Sequence, residues 1–313
     1  MTRAFVFPGQ GSQAVGMGRE LAGAFEAARM VFEEVDDALG QPLSRLMFEG
    51  PEDELTLTEN AQPALMAVSM AVVRTLEKEG GLDLARHARF VAGHSLGEYS
   101  AHAAAGTFAL ADTARLLKIR GRAMQQAVPV GLGAMAALLG LDLDAARAVA
   151  EEAAQGEICA AANDNAPGQV VISGHKTAVD RALVIAKTKG AKRALLLPVS
   201  APFHCALMAP AADAMAAALA DVTMHAPVVP VVANVTAQPV GEIGAIRRLL
   251  VQQVTGMVRW RESIAFLKDQ GVTAVVELGA GKVLAGLGKR IAPEIETGSI
   301  GAPSEIEAFL KTL

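Results

Sequence analysis

Cysteine is scarce: Cys159 and Cys205 are the only two in 313 residues, and they form neither a CxxC pair nor a metal-ligand spacing. They could join as one disulfide, but a reducing cytoplasm is the simpler setting. Aromatic residues are also few, with one Trp, one Tyr and ten Phe. The core must therefore come from Ala, Val and Leu, as expected where helices press closely on a buried parallel sheet. Positive charge is in deficit. The 28 Lys and Arg against 33 Asp and Glu leave a net charge of −5, which excludes generic nucleic-acid binding and its basic footprint. No same-sign charge run forms a tail, no fixed-period repeat recurs, and no low-complexity linker divides the chain. No uninterrupted apolar stretch reaches membrane-spanning length. Phe5-Val6-Phe7, cut off by Pro8-Gly9, is too short for the apolar region of a signal peptide. These absences lead to the expectation of a cytoplasmic protein with neither nucleic-acid nor membrane partners. What is present is apolar bulk: 52% of residues are hydrophobic, enough for a sizeable core, and the length fits about two domains or subdomains.

Strands and helices alternate along the first part of the chain. Arg3–Phe7 reads as a short buried strand ended by Pro8-Gly9. Over 18–39, Leu21, Phe25, Ala28, Val31, Val35 and Leu39 recur at helical spacing, and 61–79 is a second helical pattern closed by Gly80-Gly81. A strand at 89–92 runs into Gly93-His94-Ser95-Leu96-Gly97, and a helix follows from Glu98. This alternation predicts an α/β core. The middle differs. Strand 134–141, helix 142–155, strands 158–162 and 170–173, helix 176–189 and strand 193–199 make a βαββαβ order, the ferredoxin-like arrangement. The expected organisation is a discontinuous core over 1–129 and 201–313 with an inserted subdomain over 130–200. A further strand over 272–278 leads into Gly279-Ala280-Gly281.

The Gly93–Gly97 segment has the G-x-S-x-G pattern of a strand-to-helix elbow. Glycines two positions either side of Ser95 permit the close packing that exposes a serine hydroxyl. The following helix start directs N–H groups at the reacting oxygen, which makes the Leu96 N–H a candidate oxyanion donor. A Gly-rich packing turn is the alternative. A serine nucleophile needs a base. His94 adjoins Ser95 and points elsewhere from a sharp turn, while His102 lies two helical turns on and reads as a packed core residue. His87, His175 and His225 carry no partner signal. His204 follows Ser200-Ala201-Pro202-Phe203, a Pro-punctuated loop at the expected subdomain seam. It is the candidate base, with an ordinary loop histidine as the alternative. No Asp between Ser95 and His204 has a motif around it, so a main-chain carbonyl is left to hold the imidazole tautomer.

At this point the chain resembles the malonyl-CoA:acyl carrier protein transacylases, the discrete acyltransferases of type II fatty acid synthesis. The resemblance rests on Phe7-Pro8-Gly9-Gln10-Gly11-Ser12-Gln13, Gly93-His94-Ser95-Leu96-Gly97-Glu98 and Arg120-Gly121-Arg122-Ala123-Met124-Gln125. It continues through Pro202-Phe203-His204-Cys205, Gln252-Gln253 ahead of Trp260, and Glu277-Leu278-Gly279-Ala280-Gly281-Lys282-Val283-Leu284. The match runs nearly end to end in family order. It implies an α/β-hydrolase-like core with a ferredoxin-like insert, in agreement with the order read above.

The same resemblance implies that Ser95 is acylated, that His204 is its base and later its acid, and that the Gln10 N–H joins that of Leu96 in the oxyanion hole. It implies that Arg120 binds the malonyl carboxylate and that Gln253 lies beside His204 and orients it through a main-chain carbonyl. It also puts Gln62 near the site. An arginine fork suits a carboxylate, although Arg115, Lys118, Arg120 and Arg122 taken alone read as a solvated helix face. Phe203 is a departure, because many bacterial members carry a small residue there and malonyl-selective modules of polyketide and animal fatty acid synthases carry Phe. A ring there would crowd an α-methyl branch, so malonyl is expected over methylmalonyl. No metal or redox cofactor is expected, and the substrates would be malonyl-CoA and phosphopantetheinylated acyl carrier protein, handled by a monomer. Carrier docking would need a local basic patch. Lys187, Lys189, Lys192 and Arg193, then Arg247 and Arg248, are the candidates, each of which alone reads as a solvated residue. Two rivals remain at this stage: a serine esterase or thioesterase sharing the elbow, and a nucleotide-binding enzyme using Gly9–Ala14 or Gly279–Ala285, which fit G-x-G-x-x-A.

Overall fold

The computed structural model describes residues 2–312; Met1 and Leu313, the outermost positions of the two expected core segments, lie outside them. Among the described residues ten strands form two sheets: β1 (Arg3–Phe7), β2 (Phe90–Gly93), β3 (Gly133–Leu139), β4 (Cys159–Ala166), β5 (Gln169–His175), β6 (Arg193–Leu196), β7 (Val231–Ala233), β8 (Gln238–Val240), β9 (Ala274–Leu278) and β10 (Glu296–Ile300). The larger sheet has the order β10-β9-β1-β2-β7-β8 and is parallel except for β8, which runs antiparallel to β7. Strand β1 lies inside it, with Ala4 opposite Phe90 and Phe7 opposite Gly93 on one side and Arg3 opposite Ala274 on the other. A strand covered on both faces must be apolar throughout. Phe5 and Phe7 accordingly join the core of the Thr58–Gly80 and Leu110–Ala127 helices. Ala4 and Val6 alternate to the opposite face, against Trp260 and Ile264.

The second sheet is antiparallel in the order β4-β5-β3-β6, and helices Leu143–Ala154 and Lys176–Thr188 cover one face. Ala136, Leu138, Val170 and Ile172 pack there on Val149 and Val179. Asp142 caps the first of these helices, accepting from the Ala145 N–H at 2.8 Å. The βαββαβ order is therefore present with the ferredoxin-like strand arrangement. Met135 and Val171 point from the other face toward the large core. No helix among the described residues is long and apolar enough to cross a membrane.

Several elements depart from the sequence reading. The continuous helix expected over 18–39 is two helices, Arg19–Ala24 and Glu26–Leu39, because Phe25 is extended (φ −131°, ψ 126°). Its N–H closes the first on Leu21 O at 2.9 Å, and its carbonyl opens the second by accepting from Arg29 N–H at 3.1 Å. A one-residue break leaves the apolar spacing intact, so periodicity cannot reveal it. Strand β4 runs four residues past Ala162, through Asn163-Asp164-Asn165, with two register shifts against β5. Those polar residues read as loop in sequence, but Asp164 and Asn165 each meet a partner on the large core. Strand β6 stops at Leu196 and not at Val199, just short of Pro198, which has no N–H for a ladder.

Candidate active site

The elbow is built by backbone contact. A Cβ on Gly93 would lie 1.9 Å from the Gly97 carbonyl, and one on Gly97 would lie 2.2 Å from Phe7 O. Strand β1, the elbow and its helix thus approach closer than any side chain allows. Ser95 is held at φ 54°, ψ −112°, a conformation a non-glycine residue adopts only when its surroundings impose it. Asn234 supplies that constraint from the end of β7: its Oδ1 accepts from Ser95 N–H at 2.8 Å and its Nδ2 donates to Gly93 O at 2.7 Å. The helix begins at Leu96, two residues before its expected start, so Leu96 is the first helical residue and its N–H has no intrahelical acceptor. Gly9 packs on the His94 carbonyl and carries Gln10 to the same place. Ser95, Leu96 and Gln10 all border one cavity of about 600 Å³ between the two sheets.

His204 meets Ser95 across this cavity, with its Nε2 2.8 Å from Ser95 Oγ. Its Nδ1 lies 2.9 Å from Gln253 O and 3.1 Å from Gly256 O. Both are carbonyls and can only accept, so Nδ1 carries the proton and Nε2 is free to take the serine's. Gln253 is in the last turn of the Ile243–Thr255 helix, whose terminal carbonyls lack intrahelical partners. The negative end of that helix therefore faces the imidazole, where a triad would place a carboxylate. Burial first, and then the charge of Arg120, hold the His204 pKa down to about 3, so the ring is neutral at neutral pH, with Nε2 unprotonated.

Arg120 is 1% exposed. Its Nη1 donates to Gln62 Oε1 at 2.7 Å, and its Nη2 donates to Gln253 Oε1 at 2.8 Å and to Ser95 Oγ at 3.2 Å. The guanidinium lies 5.6 Å from the Tyr99 ring centroid. Among the described residues it forms no ion pair. The neighbouring cations do: Arg115 with Asp112 at 3.1 Å, and Lys118 and Arg122 with Glu59 at 3.2 Å each. The solvated-face reading of this helix thus holds for Arg115 and Arg122 and fails for Arg120. Phe203 lines the same cavity, as does Gln62, whose Nε2 donates to Met124 Sδ at 3.7 Å. All eight candidate site residues converge on one place.

His102 is a packed histidine, as expected: it is fully buried, with Nδ1 3.1 Å from Thr107 Oγ1, and burial lowers its pKa to about 3. His94 turns away from Ser95 to Asn165 Oδ1 at 2.9 Å. Cys205 is buried with its Sγ donating to Pro202 O at 3.2 Å. The glycine patterns read as possible dinucleotide loops do other work. Gly9–Ala14 opens no helix, since the next one begins at Arg19, and Gly281 gives close passage to Ser12. Sequence reasoning missed Asn234, Tyr99 and the carbonyl of Gly256. None has a local signal, because each joins the site only through tertiary packing.

Comparison with known proteins identifies relatives along nearly the whole chain. The acyl transferase domain family matches residues 4–295. The malonyl CoA-acyl carrier protein transacylase of Escherichia coli strain K12 is 48% identical over 308 residues, 98% of each chain. The acyl-carrier-protein-S-malonyltransferase of Bartonella henselae superposes with a TM-score of 0.97 at 59% identity, covering 100% of this chain and 99% of that one. A malonyl-transacylase solved in complex with its type II PKS acyl-carrier protein superposes at 0.96 with 44% identity over 100% of both chains. The chain belongs to the acyl transferase domain family, among the malonyl CoA-acyl carrier protein transacylases.

Proposed function

We propose that this protein moves the malonyl group from malonyl-CoA to the phosphopantetheine thiol of an acyl carrier protein, through an ester on Ser95. The observation that carries this reading is a cation: Arg120 is buried beside the Ser95–His204 pair without a carboxylate partner. A charge taken out of water and left unpaired costs several kcal/mol, which an incoming carboxylate recovers in part. An acyl group ending in a carboxylate fits that demand, and a neutral one does not.

In this reading His204 Nε2 takes the Ser95 proton as Oγ attacks the thioester carbonyl. The Gln10 and Leu96 N–H groups hold the oxyanion, and the CoA sulfur leaves with the proton from His204. The carrier thiol then gives its proton to His204 and attacks the ester, which returns Ser95 to its hydroxyl form. Every proton passes through one ring, and the thioester is already activated, so no redox step enters. Gln62 and the Gln253 side chain hold the Arg120 fork, and the Gln253 main chain orients the base. Phe203 favours malonyl over methylmalonyl by about 1–3 kcal/mol, the worth of one methyl in a pocket. The core comprises 1–129 and 201–313, with 130–200 as the insert, and the carrier docks against Lys187, Lys189, Lys192 and Arg193 on that insert.

The test is intact mass spectrometry after exposure to malonyl-CoA. The native chain gains one malonyl group and Ser95→Ala gains none; an equal adduct on both would remove Ser95 as the nucleophile. With malonyl-CoA and methylmalonyl-CoA in competition the malonyl adduct dominates, and equal labelling would remove the role of Phe203.

A further inference from the structure

Glu98, in the first turn of the elbow helix, is 1% exposed and has no part in the acyl transfer described above. A buried carboxylate needs donors. Its Oε2 accepts from Gln253 Nε2 at 2.8 Å and from the Asn234 main-chain N–H at 3.1 Å. The second Nε2 hydrogen of Gln253 goes to the Ser95 carbonyl at 2.9 Å, while its Oε1 accepts from Arg120 Nη2 at 2.8 Å. The two ends of a primary amide are nearly identical in shape and differ only in hydrogen bonding. Here those ends are told apart completely. Glu98 Oε2 and Ser95 O accept, and the guanidinium of Arg120 only donates. Turned end for end, Gln253 would set N–H groups against the guanidinium and an oxygen against two acceptors.

We propose that Glu98 is a positioning residue for substrate selection: by accepting from Gln253 Nε2 it keeps the Gln253 side-chain carbonyl on Arg120. Gln62 holds Nη1 and Gln253 holds Nη2, so the arginine fork is fixed at both tips beside Ser95 Oγ. Without Glu98 the amide loses its shortest orienting acceptor and keeps Ser95 O at 2.9 Å and Asn234 Oδ1 at 3.5 Å, and Arg120 loses the brace on the side nearest the nucleophile. The inference rests on the reading of Arg120 as the malonyl anchor. Burial lifts the Glu98 pKa to about 7, but the Asn234 N–H marks Oε2 as an accepting oxygen in either protonation state.

The experiment compares kcat/KM for malonyl-CoA and for acetyl-CoA, whose acyl group has no carboxylate. Glu98→Met should lower the malonyl-to-acetyl ratio about tenfold, mainly through a raised KM for malonyl-CoA. Glu98→Gln keeps an accepting oxygen at the same reach and should hold the ratio within about threefold of the native value. In an Arg120→Ala background, Glu98→Met should change the ratio by less than about twofold, since the group it acts through is gone. Equal losses with both esters, or equal damage from Glu98→Gln and Glu98→Met, would overturn the proposal. Should Glu98→Met fail to fold, Glu98→Asp, one methylene too short to reach Gln253, makes the same comparison. A native chain that Ser95 labelling shows to be malonylated, with a ratio indifferent to Glu98, sinks this inference alone; a native chain that is never malonylated sinks the functional reading with it.

Discussion

His204 shows how a single residue is tuned without an acid. Two carbonyls fix its tautomer, and burial together with Arg120 keep it neutral. The pH consequence has a definite sign. A base works when deprotonated, and a lowered pKa extends that form downward, so the acid limb of kcat/KM should lie well below the ordinary histidine value of 6.5. Replacing Arg120 with Ala removes a nearby positive charge and opens the cavity to water, and both changes raise the His204 pKa. Ser95 acylation followed across pH 4–7 should show the limb moving upward in that variant; an unmoved limb would mean that the guanidinium does not act on the ring. Histidine buried in neutral form also bears on folding. The native chain resists the protons that the unfolded chain accepts near 6.5, so the contributions of His204 and His102 fall away as pH drops from there toward 3.

At the scale of elements, the elbow is the most constrained piece of the chain. Adding a methyl at Gly97 puts it 2.2 Å from Phe7 O and forces β1 away from the elbow helix. Gly97→Ala should therefore cost about 3 kcal/mol of stability, the upper range for overpacking, and should abolish Ser95 acylation. Denaturant melts and adduct mass check the two effects, and a variant of native stability would mean the contact relaxes freely. This element was also the most legible in the sequence, because its spacing is local. The βαββαβ order was legible for the same reason, each strand and helix carrying its own period. Arg120 was not, because Arg115, Lys118 and Arg122 surround it with the pattern of a wet helix face; only the resemblance singled it out. Asn234 left no trace at all. It becomes a clamp only when β7 lies beside β2, an adjacency between residues more than a hundred apart. The polar end of β4 misled in the opposite direction, since a strand that docks on a second unit through Asp164 and Asn165 looks like a loop until that unit is present.

At the scale of the whole molecule, the two sheets are joined by a few directed contacts. Arg261 clamps Asp164 of β4 with Nε–Oδ2 at 2.9 Å and Nη2–Oδ2 at 2.8 Å, and the Asp164 N–H donates to Val258 O at 2.9 Å. His94 to Asn165 is a second tie, beside the nucleophile. Asp164→Ala leaves Arg261 able to reach water, so its cost should be that of a charged hydrogen bond, about 2 kcal/mol, read as a lower denaturation midpoint. A loss below about 0.5 kcal/mol would show that the clamp is incidental. The order of the chain adds a consequence for synthesis on the ribosome. Strand β1 is made long before its neighbour β9, and His204 and the carbonyls that hold it follow Ser95 by more than a hundred residues. A growing chain thus displays its serine long before it owns the ring and helix end that would arm it. Until Gln253 and Gly256 emerge, nothing holds the imidazole in the tautomer that faces the serine.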